Sequence, residues 1–319
     1  MLTKATRVYL TALLVCALPL LAAEPEPARQ KKSPPQFQKI PDGVEVIRDV
    51  EIGTGGGRPL HVDIARPINP PKTPMPAILH IHGGAWSGGS HRYNQALWLA
   101  AKGYFTASVE YRLTGEARWP AQIEDCKLAV RWLRANAAKY QVNPDRIGCI
   151  GTSAGGHLVA FLGVSGDLPQ FEGKGGFEGV SSQVQAVVDY CGPADMAGGS
   201  LGIQGAVGDK DAPACLGLAG APFKEKPEVW KEMSPLTHVS SNAPPFLIVH
   251  GDRDRTVPIV HSQHLAAALK RTGVHVEFLT VKGGGHGMKA NSPDDPPAEP
   301  DEQGINAKVQ EFFEKHLKR

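Results

Sequence analysis

Cysteine is scarce in this chain. There are five in 319 residues and nowhere a CxxC pair, which removes the commonest short metal-binding and redox motif. Net charge is nearly absent as well, at +2 from 34 Lys and Arg against 32 Asp and Glu. Residues 1–23 carry Lys4 and Arg7 and no acid, so the remainder is neutral. A neutral chain has no electrostatic footprint for nucleic acid or an anionic membrane. There is no G-X-Y period, which excludes collagen, and the 36 glycines and 27 prolines read instead as many turns. Gly53-Thr54-Gly55-Gly56-Gly57 lacks the spaced third glycine and helix of a dinucleotide fingerprint, and no P-loop occurs. Beyond the first residues no apolar run is long enough to span a bilayer.

What is present is ordinary globular composition, 41% hydrophobic and 21% charged, which excludes a disordered chain and a coiled coil. Residues 1–23 read as a signal peptide: a basic start at Lys4 and Arg7, an apolar stretch from Val8 to Leu21 broken by Pro19, and small residues Ala22-Ala23. The run is short for a spanning helix. Cleavage is therefore expected, with a secreted or periplasmic chain and no stable membrane insertion afterwards. Residues 24–43, Pro-rich and polar at their start, read as a flexible tether. Residues 44–319 read as a single catalytic domain, because no composition shift divides them.

Strand and helix signals alternate along that domain. Leu60, Val62 and Ile64 alternate with polar residues, as in a half-buried strand. Residues 77–81, 104–109, 146–150, 184–190, 246–250 and 275–281 read as further strands. Helical spacing predicts helices over 122–139, 154–162 and 261–271, and Ile305, Val309 and Phe312 mark a terminal one. This rhythm implies an α/β fold, a mostly parallel sheet covered on both faces. Residues 196–226 and 287–301 break it and read as long loops.

Chemistry-bearing residues fall just past the strands, where ligands bind in open α/β sheets. Gly151-Thr152-Ser153-Ala154-Gly155 fits G-x-S-x-G, after a strand and before a helix. Such a turn presents the serine as a nucleophile at the sheet edge, beside a helix N-terminus that favours negative charge. His82-Gly83-Gly84-Ala85-Trp86 supplies backbone N–H groups for an oxyanion, with Gly84 and Ala85 as donors and Ala154 as the third. Gly283-Gly284-Gly285-His286-Gly287 offers a base. The carboxylate that must orient it is Asp252 or Asp254, both close enough to the strand end. The order Ser, Asp, His is that of an α/β-hydrolase rather than of trypsin or subtilisin.

IHGGAW (81–86), WPAQIEDCKLAVRWLRANAAKY (119–140), GTSAGGH (151–157), HGDRDRTVP (250–258) and GGGHG (283–287) together resemble the esterase/lipase group of the α/β-hydrolase superfamily. Within it, the likeness is to bacterial acetyl and feruloyl carbohydrate esterases. The resemblance covers nearly everything from Val44 onward. It implies a mostly parallel eight-stranded sheet with helices on both faces. Its carboxylate pattern, H-G-x-x-D-x-x-V-P, lands on Asp254. It thus implies Ser153 as nucleophile, His286 as base and Asp254 as orienting group. It also implies ester hydrolysis through an acyl-enzyme, with no metal or organic cofactor. The implied substrates are small-molecule or polysaccharide esters carrying acetyl or feruloyl groups. Ala85 stands where the family often has a third glycine, and still supplies an N–H. The rival readings are a serine peptidase or amidase on the same fold, and a hydrolase-shaped binding protein without turnover.

Other residues carry expectations of their own. Trp86 reads equally as an aromatic wall for substrate and as core. Trp98, Trp119 and Trp132 read as packing residues, and His157 as a structural group beneath the sheet edge. Asp125 reads as a solvated or paired helix charge. His80 and His82 share a strand face, with no third ligand at a recognisable spacing, and read as buried, hydrogen-bonded groups. Four cysteines remain after cleavage, and Cys191 with Cys215 is the expected disulfide if one forms.

Overall fold

The computed structural model describes residues 38–198 and 212–318. The proposed signal peptide and most of the tether lie outside the described residues, as does 199–211 within the first long loop. Residues 38–43 are not free tether: the Gln38 side-chain oxygen accepts the Asn94 N–H at 2.9 Å, which seats the segment on the domain.

The chain runs β1 (Val44–Gly55), β2 (Arg58–Pro67), β3 (Met75–Ile81), α1 (Leu97–Ala100), β4 (Phe105–Val109), α2 (Ala121–Ala135), α3 (Ala137–Tyr140), β5 (Val142–Thr152), α4 (Ala154–Val164), β6 (Ala186–Tyr190), α5 (Pro213–Ala219), α6 (Pro227–Glu232), β7 (Phe246–Gly251), α7 (Val260–Arg271), β8 (Val276–Val281) and α8 (Glu302–Leu317). The strands form one eight-stranded sheet in the order β1-β2-β4-β3-β5-β6-β7-β8. β1 and β2 are antiparallel to each other, and β2 is antiparallel to β4. Every pairing from β4 through β3 to β8 is parallel.

Successive strand residues point to opposite faces, and two cores follow. In β7, Phe246 and Ile248 join one core with residues of α2, α4 and α7. Leu247 and Val249 join the other, with Leu99 of α1 and Ile305, Val309, Phe312 and Phe313 of α8. Helices therefore cover both faces, the α/β-hydrolase arrangement. β3 is buried along all seven residues because it lies at the centre of the sheet.

Several expectations need correction. β1 has no counterpart in the sequence reading; bulges between Ile47 and Val50 and between Glu51 and Gly53 interrupt its alternation. The helix predicted over 122–139 is two helices, parted at Asn136, whose side-chain amide donates to the Trp132 carbonyl at 2.8 Å. Part of the first long loop is helical, in α5. β2 is more than half buried, since Asp63 also lies inside, paired with Arg48 at 2.7 Å. No disulfide joins Cys126, Cys149, Cys191 or Cys215: each is a buried thiol, and the expected Cys191–Cys215 link is not made.

Candidate active site

Ser153 stands between β5 and α4 with φ 60° and ψ −119°. A non-glycine residue is strained there, and strain of this kind concentrates at functional sites. The flanking glycines permit it. A Cβ on Gly151 would lie 2.4 Å from the Gly155 carbonyl oxygen, and one on Gly155 would lie 2.1 Å from that of Ile81. Both distances are far inside contact, so the sharp strand-to-helix turn tolerates no side chain at either flank. The Ser153 N–H donates to the Tyr190 carbonyl at 2.8 Å, which fastens the turn to β6.

Beside Ser153 run the residues after β3. Ala85 and Trp86 have φ 52° and 56°, so this short loop also departs from ordinary backbone. Among the described residues, the N–H groups of Gly84, Ala85 and Ala154 donate to no other backbone group across turns or loops. N–H groups so placed are the donors from which an oxyanion hole is built. The added methyl of Ala85 is carried on a left-handed residue, which a third glycine would occupy without strain.

His286 and Asp254 are brought together by the loops after β8 and β7. His286 Nδ1–H donates to Asp254 Oδ2 at 2.8 Å. The carboxylate is further fixed by the N–H groups of Thr256 at 2.8 Å and Val257 at 2.9 Å. Burial alone would raise the Asp254 carboxyl. His250, His286 and the Val257 N–H outweigh it and hold the group far below the usual carboxylate range. It therefore stays charged, and fixes His286 with its hydrogen on Nδ1 and Nε2 free to accept a proton. Asp252 does something else: it accepts the Gly283 N–H at 2.7 Å and so anchors the histidine loop. No hydrogen bond links Ser153 to His286 among the described residues, an ordinary condition for a site without substrate.

Trp86 is placed in the core at 1% exposure. Its indole N–H donates to His157 Nδ1 at 3.2 Å, and His157 Nε2–H donates to the Met233 carbonyl at 2.7 Å. No open face remains, so the aromatic-wall reading gives way to packing. His157 is the structural group expected. Asp125 is paired, with Arg112 at 2.8 Å, and buried. His80 and His82 are buried; His80 Nδ1 meets Ser108 Oγ at 2.9 Å, and His82 stacks on Tyr111.

The residues that line the way to His286 escaped the sequence reading. A cleft of about 370 Å³ runs past Thr152 and His286, walled by Gln38, Tyr93, Gln95, Trp98, Tyr190 and Asn306. Tyr93 is one of the few large apolar side chains exposed among the described residues, which the sequence alone does not signal. Cys191, just after β6, is buried close to Asp254 and His286, with φ 45°. Burial, with Asp254 and Asp189 near it, raises its thiol well above the ordinary range, so it stays protonated.

Comparison with known proteins places the chain in a family. The family model described as BD-FAE matches residues 62–269. Esterase LipC of Mycobacterium tuberculosis is 34% identical over 241 residues, covering 71% of this chain and 56% of that protein. Esterase LipQ of the same organism is 31% identical over 229 residues, covering 70% and 53%. The chain thus spans a little over half the length of these relatives. Among solved structures, a truncated carbohydrate esterase from gut microbiota is similar with a TM-score of 0.74 and 32% identity, over 86% of this chain and 97% of that one. The esterase Est2 of Thermogutta terrifontis has a TM-score of 0.68 and 25% identity, over 88% and 95%.

Proposed function

The chain belongs to the BD-FAE family, in the esterase group of the α/β-hydrolase fold, and from that premise we propose that it is a secreted serine carboxylic-ester hydrolase. Ser153 Oγ attacks the ester carbonyl while His286 Nε2 takes the hydroxyl proton. The N–H groups of Gly84, Ala85 and Ala154 hold the oxyanion. His286 then gives the proton to the leaving alkoxide, and water releases the acid from Ser153 by the same steps. Asp254 stabilises the imidazolium throughout. The observation that carries this reading is the 2.8 Å Asp254–His286 hydrogen bond in the loops beside a strained serine.

The proposed substrate is an acetyl or feruloyl ester of a polysaccharide or of its fragments, or a related small ester. Two observations support it. The cleft beside His286 combines the carboxamides of Gln38, Gln95 and Asn306 with the rings of Tyr93 and Trp98, groups suited to hydroxyls and to sugar faces. A similar solved structure is a carbohydrate esterase. Export rests on residues 1–23 and is checked by the N-terminus of the mature protein, expected at Glu24. No helix among the described residues is long and apolar enough to cross a membrane.

The test is initial rates on p-nitrophenyl acetate, butyrate and octanoate, followed by acetylated and feruloylated xylan fragments, with Ser153→Ala alongside. Rates are expected to fall with acyl length on the p-nitrophenyl series. The variant is expected to lose about 10⁶-fold. Equal rates in the two proteins would sink the proposal.

A further inference from the structure

Three chain segments bring donor atoms together, and two of the donors belong to the proposed triad. Cys191 arrives after β6, Asp254 after β7 and His286 after β8. The Cys191 sulfur, a carboxylate oxygen of Asp254 and a ring nitrogen of His286 all lie within 4.8 Å of one another. The Cys191 thiol donates to the His286 carbonyl at 3.5 Å, which keeps the sulfur turned towards the histidine loop. One sulfur, one nitrogen and one oxygen form a donor set that suits zinc. Its bonds run about 2.3 Å to sulfur and about 2.0–2.2 Å to nitrogen and oxygen. The His286 side chain is 29% exposed, whereas the Asp254 side chain and Cys191 are buried, so an ion has to enter past the His286 ring.

A second cluster, His275, Glu277 and His316, has a comparable donor set at the sheet edge. There the carboxylate already holds two cations, Lys308 at 2.8 Å and Lys315 at 3.2 Å. Asp254 meets imidazoles and backbone N–H groups instead of ammonium groups.

We propose that Cys191, Asp254 and His286 form an inhibitory site for zinc, a regulation of the hydrolase activity proposed above and resting on it. Zinc takes the thiolate of Cys191 and the carboxylate of Asp254, so the two negative charges balance the ion. It also takes Nδ1 of His286. One proton, from the thiol, leaves to solvent. The imidazole keeps its single proton but moves it from Nδ1 to Nε2, and that nitrogen can no longer accept the proton of Ser153. Turnover stops without zinc touching the substrate.

The experiment titrates zinc chloride into wild type, Cys191→Ala and Cys191→Ser, following p-nitrophenyl acetate. Each protein is normalised to its own metal-free rate. In parallel, zinc binding is measured by calorimetry on Ser153→Ala, with and without Cys191→Ser. The inhibition constant is expected to rise at least about tenfold in both Cys191 variants. Ser153→Ala is expected to bind zinc in a Cys191-dependent step. Inhibition or binding that is unchanged by both Cys191 substitutions overturns the proposal, and so does absence of zinc binding to Ser153→Ala. If no ester is turned over but the Cys191-dependent binding persists, the hydrolase reading fails and the metal site stands.

Discussion

Two aspartates follow β7, two positions apart, and their partners differ. Asp254 holds the His286 ring, and Asp252 holds the backbone of the loop that carries it. Asp254→Asn removes the charge that fixes the tautomer and is expected to cost about 10⁴-fold in kcat. Asp252→Asn keeps an oxygen that can accept the Gly283 N–H. Its loss is limited to that of one exposed hydrogen bond, at most about tenfold in rate. Comparing kcat of the two variants checks this, and equal losses would mean that Asp254 has been given the wrong part. The placement of these residues was legible: Ser153, His286 and Asp254 each stand in a short motif that follows a strand, and the structure brings His286 and Asp254 together. Trp86 was not, because a tryptophan after an oxyanion loop can point in or out. Its direction is set by His157, 71 positions away. The expected Cys191–Cys215 disulfide failed for a similar reason, since each thiol is buried where it stands.

Among the elements, α2 carries an unusual load. Lys127, fully buried on it, donates to the Ser165 carbonyl at 2.6 Å, to Glu172 at 2.9 Å and to Ser182 at 3.0 Å. These bonds gather the irregular chain between α4 and β6 onto the helix. Lys127→Met would leave those oxygens short of a donor, and a destabilisation of about 1–3 kcal/mol is expected. Protease cleavage between residues 165 and 182 should rise with it; urea denaturation and limited proteolysis check both. The sequence places Lys127 on a helix face but does not say that this face is buried, because its partners lie in a loop without periodicity. The break at Asn136 escaped notice because the apolar spacing runs straight through it. The interior strands were readable, being apolar and bounded by glycine.

For the molecule as a whole, stability should depend on pH through its buried histidines. Burial lowers His80 to about 3, His82 to about 4 and His157 to about 4, against some support for His82 and His157 from carbonyl partners. Below about pH 6.5 the unfolded chain binds protons at these positions that the folded chain refuses. Stability is therefore expected to fall as pH drops from about 6.5 towards 4. Asp189 works the other way: burial raises it to about 7, partly offset by the Gly192 N–H, so its contribution is lost as pH rises from about 4 to 7. Asp125, whose carboxyl burial also raises, acts with Asp189, and with three histidines against these two the net slope should follow the histidines. Melting temperature against pH checks this, and His157→Gln should flatten the slope. A melting temperature constant from pH 7 to 4.5 would refute it. At this scale the sheet was legible from the rhythm of strands and helices. The cleft was not, because Gln38, the Tyr93–Trp98 segment and Asn306 are far apart in sequence.

The four buried thiols have a consequence for handling and recovery. With no covalent cross-link among the described residues, the cohesion of the folded chain should be the same in reducing and oxidising surroundings. Unfolding exposes all four sulfurs at once. Thiol exchange between unfolded molecules then competes with refolding. A reductant should leave the melting temperature where it is and raise the fraction of molecules that return after heating.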